Sequence, residues 1–581
     1  MKKYVLSITI AATFFAYKAN AQDDKNKKNN TVGTEVVNVT SEYQATLNDA
    51  FKINDNPIIE DEEINQKKEV KYTIFSVPVA STFSPAKGEA AKVDTDSLAN
   101  YYSNYALFGY GTYNTLRGEL GIVEKVGSKN MYVGGLLKHI SSGGGIEGVH
   151  LDDTFSNTNL DFTLGQRNDN NQWNTQFGAM AAKYNWYGTP NDFNLTNFNF
   201  NLVDPLQKYN DLHLGATFES YVGAFEKVDL KYKYFWDDYD SKESRFVLAP
   251  KFSVELPNNT LYLNLEADYV NTQFTNNGID NVQDKYNYLN LSVNPNIKFF
   301  DADYSLELGA GLTYILGKQL GVEDNQVVIY PNIKANFNLV PNILQAYVGA
   351  IGGVQQNSYA QIVAQNPFVA PTMQLKPTKT AYDLYAGMKG KLYHNVSYNV
   401  RANYKTEDDK ALFTINTYDI NLANKEGFEY GNSFGLVYDK VDTFTLFGEL
   451  NFDFSNKAQI GISGEFNNFT LENYKNAFHI PQGKINLNAL YNITNQWYAN
   501  ANVAYVGQRY ELNHNATILM DESLKLGDFY DVNLEIGYKP TAQWTIFAKG
   551  SNLANQNYYR FNQYQVQGLQ VLAGAMYKFN L

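Results

Sequence analysis

The chain has 581 residues, 15% of them aromatic, with 45 Tyr, 36 Phe, 41 Gly and no Cys, and a formal net charge of -13. Beyond the N-terminus no apolar run reaches the roughly 18 residues of a membrane helix, and the acidic balance argues against nucleic acid, whose phosphates need clustered Lys and Arg. Without Cys there is neither a disulfide framework nor an acylated-Cys anchor.

Residues 1–21 read as a signal peptide. Lys2 and Lys3 precede an apolar run from Tyr4 to Tyr17, and Ala19-Asn20-Ala21 forms a small-x-small cleavage site. The mature chain is expected to start at Gln22. Residues 22–100 read as an N-terminal periplasmic or lumenal segment with little periodicity. It opens with "QDDKNKKNN", continues through the β-prone "TEVVNV" and the charge-rich "NPIIEDEEINQKKEVK", and carries strand-breaking Pro78 and Pro85.

From residue 101 to 581 the pattern changes to sustained alternation. Leu261, Leu263, Leu265, Ala267 and Tyr269 share one face, against Asn264, Glu266 and Asp268 on the other. Tyr304, Leu306, Leu308, Ala310, Leu312 and Tyr314 repeat this, as do Trp497, Ala499, Ala501, Val503 and Tyr505. Side chains of a strand alternate between faces, so each stretch is apolar on one side and more polar on the other. At about 10 residues with aromatics near the ends, these are the strands that cross a membrane.

Short polar or Pro-containing turns fall near Ser128, Asn170, Phe225, Asn258, Ala302, Pro341, His394, Ser455, Asn495 and Thr541. Each interval holds two strands and one longer loop. With short turns and both termini on the periplasmic side, ten turns predict an all-β protein: a transmembrane antiparallel β-barrel of about 22 strands. An extra hairpin between His394 and Ser455 would raise this to 24. Export and the barrel together place the chain in the outer membrane.

Motifs for chemistry are weak. Gly143-Gly144-Gly145-Ile146-Glu147-Gly148 matches a dinucleotide fingerprint but continues into "VHLDD", not into a helix, so it reads as a loop. The six His are scattered without metal-ligand spacing. Carboxylates such as Glu266, Asp268 and Glu307 read as a hydrated lumen wall. No catalytic, cofactor or metal site is expected, and the chain is read as a non-enzyme. Recognition is assigned to two long loops, 185–200 and 357–377, through Trp186, Tyr187, Phe193, Tyr359 and Phe368. Such rings suit stacking on sugars or ring systems, or packing on one another to close the barrel mouth.

The chain ends in alternating apolar residues, and Tyr577 and Phe579 read as a C-terminal signal for the outer-membrane assembly machinery. Together with Asn552-Leu553, Tyr558-Tyr559 and Gly568, this ending resembles that of TonB-dependent receptors, here of a Bacteroidetes type rich in Asn, Tyr and Phe. The resemblance implies import of a scarce ligand such as a metal chelate, cobalamin or a glycan, and TonB and a surface lipoprotein as partners. Thr34, Glu35, Val36, Val37, Asn38 and Val39 resemble a TonB box in position and character. The segment ahead of the barrel departs from the family in being too short, and too poor in Gly-rich runs, for a full plug domain. Two rivals stand beside the receptor: a structural or assembly barrel in an outer-membrane complex, and a passive porin.

Overall fold

A computed structural model describes residues 102–127, 130–190, 200–257, 259–274, 284–341, 343–418, 425–454, 457–514 and 523–581. The expected signal peptide, the segment 22–100 with its TonB-box-like residues, and Phe193 lie outside the described residues.

The described chain forms one antiparallel sheet of 22 strands closed on itself. Consecutive barrel strands pair with each other, and the first, Asn104–Gly111, pairs with the last, Gln570–Phe579, from Asn104 opposite Phe579 to Gly111 opposite Leu572. Closure is what a membrane demands of a sheet. Lipid offers no hydrogen bonds to an open edge, so every strand needs two neighbours. The terminal alternation noted above is therefore the closing seam.

Ten connections of two to five residues lie at the end where the first described strand begins and the last one finishes: 127–130, 168–170, 221–224, 256–259, 301–303, 341–343, 394–395, 454–457, 493–496 and 539–543. This is the end expected to form the periplasmic rim. They match the ten expected turns, except that Phe225 itself begins a strand. Among the described residues, the long interval after His394 holds no extra hairpin. It is filled by two 20-residue strands, Val396–Ile415 and Phe434–Asp453, whose alternation continues beyond the membrane. Strand length, from 8 to 20 residues, is thus more variable than the expected ten.

The outward face carries the apolar set. Leu308, Leu312 and Tyr314 are exposed there, as are Tyr269 and Leu291. At the periplasmic rim Trp497 packs on Tyr538 at 4.6 Å and Trp544 on Tyr577 at 4.8 Å, with Phe579 beside Tyr577 at 5.9 Å. These form part of an interfacial aromatic girdle.

The inward face shows a second regularity. Seven tyrosines stand directly opposite glycines on a neighbouring strand: Tyr105 and Gly121, Tyr132 and Gly165, Tyr288 and Gly317, Tyr330 and Gly311, Tyr347 and Gly387, Tyr385 and Gly349, and Tyr498 and Gly537. In each pair the ring lies across the space a Cβ would need. The ring shields the glycine backbone and pins the register, as aromatic rescue does in sheets.

Gly537→Val should therefore displace the Tyr498 ring and destabilise the barrel by about 1–3 kcal/mol. Gly118→Val, with nothing within 4 Å of its Cβ position, should be near neutral. The temperature at which each variant loses compact migration on denaturing gels without prior boiling measures the difference.

Candidate functional site

The end opposite the short turns carries eleven connections, and 356–377, a long one that is described throughout, does not stand out into solvent. Residues 356–377 fold back into the mouth around a short helix, Tyr359–Gln365. Ser358 caps it, its hydroxyl accepting from Gln361 N at 3.2 Å. Tyr359, Ile362 and Val363 are buried against the barrel wall, in a cluster with Tyr209, Phe235, Phe274 and Tyr286.

Two carboxylates at the tip of a neighbouring hairpin hold this helix. Glu243, 1% exposed, accepts from Tyr359 N at 2.5 Å, from Ala360 N at 3.2 Å and from the Thr272 hydroxyl at 2.7 Å. Asp237 accepts the Tyr359 hydroxyl at 2.6 Å, while its other oxygen accepts from Tyr239 N and Ser241 N, both at 2.9 Å. A buried carboxylate is tolerated only when its lone pairs are filled. For Glu243 the otherwise orphan N–H groups of Tyr359 and Ala360 in the first helical turn supply two of the donors.

Other connections join the same assembly. Phe434 N donates to Phe368 O at 2.9 Å and Ala370 N to Phe434 O at 2.8 Å, so the returning loop adds a short bridge beside a barrel strand. Asn432 donates to Trp186 O at 2.9 Å, and the Tyr564 hydroxyl donates to Asn432 O. The Tyr187 hydroxyl donates to Gln565 O at 2.9 Å. Phe368 stacks on Tyr564 at 3.8 Å. Loops hundreds of residues apart in sequence are thus tied together. Burial pushes the phenols of Tyr187, Tyr359 and Tyr564 well above their ordinary value, because the anion would be desolvated.

Between this loop assembly and the wall lies a cavity of about 630 Å³. Tyr187, Phe368 and Tyr564 give it aromatic surface. Asn157, Asn159, Gln567 and Gln570 line it with amides, and Asp153, Asp211, Lys233 and Arg560 with charge. On the wall side His213 bridges Asp211 at 2.7 Å and Asp161 at 2.9 Å, and Lys233 approaches Asp211 at 3.4 Å. Such a mixture of stacking and polar groups suits a small polar ligand.

The expected recognition residues divide between two roles. Tyr187 and Phe368 line the cavity. Trp186, 1% exposed, instead packs with Tyr239, Phe428 and Ala370, and Tyr359 is wholly buried at the helix anchor. The glycine-rich run is a loop closed on its own carboxylate, with Asp153 accepting from Gly145 N and Ile146 N at 2.9 and 2.8 Å. Asp268 pairs with Arg245 at 2.6 Å and Glu307 with Lys334 at 3.5 Å, as members of the inner wall. Among the described residues no group of His, Asp and Glu is arranged to hold a metal ion. Sequence reasoning missed Asp237, Glu243 and Arg560. The one local signal available was "SYAQ", a Ser with Gln three residues on, which has the form of a helix-capping box.

No family model matches the sequence, and no curated protein matches it. Solved structures do. The ferripyoverdine receptor of the Pseudomonas aeruginosa outer membrane aligns with a TM-score of 0.61 at 13% identity, over 82% of this chain and 72% of that one. The ferric-catecholate import receptor Fiu from E. coli K12 aligns at 0.62 and 10% identity, over 83% and 82%. The FrpB iron transporter of Neisseria meningitidis aligns at 0.63 and 10% identity, over 82% of each chain. At such identities the likeness establishes the fold alone: the chain is a closed 22-strand β-barrel built like those of solved import receptors.

Proposed function

We propose that this protein is an outer-membrane receptor that captures a scarce ligand beneath its extracellular loops and imports it in the manner of TonB-dependent receptors. One observation carries this reading above the others: the mouth is filled by cross-tied loops over a cavity of about 630 Å³, within the range typical of small-molecule sites. A passive pore gains nothing from a mouth packed with buried aromatic side chains. The aromatic, amide and charged lining suits a metal chelate, cobalamin or a short glycan, with Tyr187 and Phe368 stacking on it and Arg560, Lys233 and Asp211 reading its polar groups. The helix Tyr359–Gln365 is the movable cover, and residues 34–39 are the segment through which a TonB-type partner drives passage. The chain acts by transport and not by catalysis, and it reaches the membrane by way of the signal peptide and the C-terminal Tyr577 and Phe579.

Deleting Thr34, Glu35, Val36, Val37, Asn38 and Val39 should leave the protein at normal levels in the outer membrane while abolishing growth on whichever source it imports. The check is growth with a ferric chelate, cobalamin or an oligosaccharide as the sole source of its nutrient. Unchanged growth on a source that fails to support a full deletion would reject TonB coupling.

The cover also has a measurable hold. Tyr359→Phe leaves Asp237 short of a buried donor, a loss of about 1–3 kcal/mol, so amide exchange across residues 359–365 should accelerate by roughly one to two orders of magnitude. Raising the pH should have the same effect on the wild type. In the opened loops the phenols return to the ordinary value of 10.0, whereas burial holds them higher in the closed form. The closed form is therefore fully favoured below pH 10 and loses stability as the pH rises beyond it.

A further inference from the structure

The outward face of the barrel carries an uneven distribution of charge. On the strands from Asn171–Asn185 to Tyr304–Gln319, Lys183, Lys208, Lys242, Lys285 and Lys318 all stand at the extracellular rim. Register places them on the lipid-facing side. Lys183 is directly opposite Lys208, Gln273 lies between Lys242 and Lys285, and Lys318 faces Asn287. The same face, two or three side-chain rows lower, exposes Leu212, Tyr269 and Leu291. Among the described strand residues, no Lys or Arg occupies this face at the periplasmic rim.

Two of the five have acidic company, Lys208 pairing with Asp238 at 2.6 Å and Lys318 lying opposite Glu323. Lys183, Lys242 and Lys285 are exposed and have no ion-pair partner among the described residues. Like charges directly opposite across a strand pair are destabilising, so the Lys183 and Lys208 pair is costly in the bare protein. An anionic layer at that height removes the cost. Lysine side chains at the edge of an apolar band extend their ammonium groups into the headgroup zone while their stems stay on apolar surface. In a chain of net charge -13, such an arc is a local exception.

We propose that this lysine arc docks the phosphate-bearing headgroups of lipid in the outer leaflet, so that one side of the barrel recruits phosphorylated lipid. The inference requires only that the barrel sits in the outer membrane, and it is independent of what the lumen carries.

Native mass spectrometry tests it. Full-length protein in uncharged detergent is mixed with diphosphorylated lipid A or with the same lipid after phosphatase treatment. Preferential retention of the phosphorylated form is expected. The combined variant Lys183→Gln, Lys242→Gln, Lys285→Gln should weaken it about a hundredfold, from roughly fivefold per lysine near a charged surface. Each single variant should show the fivefold step, which reads out even if the combined variant does not fold, and replacement of all three by Arg should preserve retention. Lumen-side Lys138→Gln with Lys251→Gln should change nothing. Equal retention of the two lipids, full retention by the combined variant, or displacement of the lipid by millimolar inorganic phosphate would overturn the proposal.

Discussion

Everything in this molecule depends on the pairing of its first and last strands. A sheet in lipid cannot leave a row of backbone N–H and C=O groups open, because each unsatisfied group costs several kcal/mol there. Once Asn104 meets Phe579 and Gly111 meets Leu572, the sheet has no edge. Outward positions can then be almost wholly apolar and inward positions polar. The tyrosine and glycine pairs add to the same constraint from inside, since each ring fits its place only when the facing residue lacks a side chain.

Closure with 22 strands has a consequence that smaller barrels escape. The lumen is too wide to be filled by wall side chains alone. At the extracellular end of the described chain the filling comes from loops, and it is held by polar contacts as well as by apolar packing. The anchor formed by Asp237, Glu243 and the start of the helix is chemically demanding, because each carboxylate is buried and takes part of its set of donors from the folded-in loop. Such an anchor holds firmly when complete and weakens sharply when one donor is withdrawn. That behaviour suits a cover which must stay shut and still be opened by a specific event.

Much of the barrel could be read from the sequence because its rules are local. Alternation marks strand faces, and clusters of Asn, Asp, Gly and Pro mark the tight periplasmic turns, so the strand count followed from the turns. Strand length was less legible. The 20-residue strands Val396–Ile415 and Phe434–Asp453 keep alternating in water as they do in lipid, so nothing in their pattern marks where the membrane stops. The mouth was least legible. Trp186, Tyr187, Tyr359 and Phe368 stood out as loop aromatics, but their division between cavity lining and loop core depends on contacts across more than a hundred residues. Asp237 and Glu243 sit in "DDYDSKE", which reads as a solvated acidic turn until a helix from residue 359 onward is placed on it. The lysine arc is equally hidden, because its members are 25 to 43 residues apart and meet only through strand register.

Whether the mouth is a covered binding site or an open pore is tested most directly by single-channel recording of the purified full-length protein in planar bilayers. A covered mouth should leave the protein silent, without steady current across the voltage range the bilayer tolerates. A steady ohmic conductance in the absence of any ligand would contradict it and would favour the passive pore.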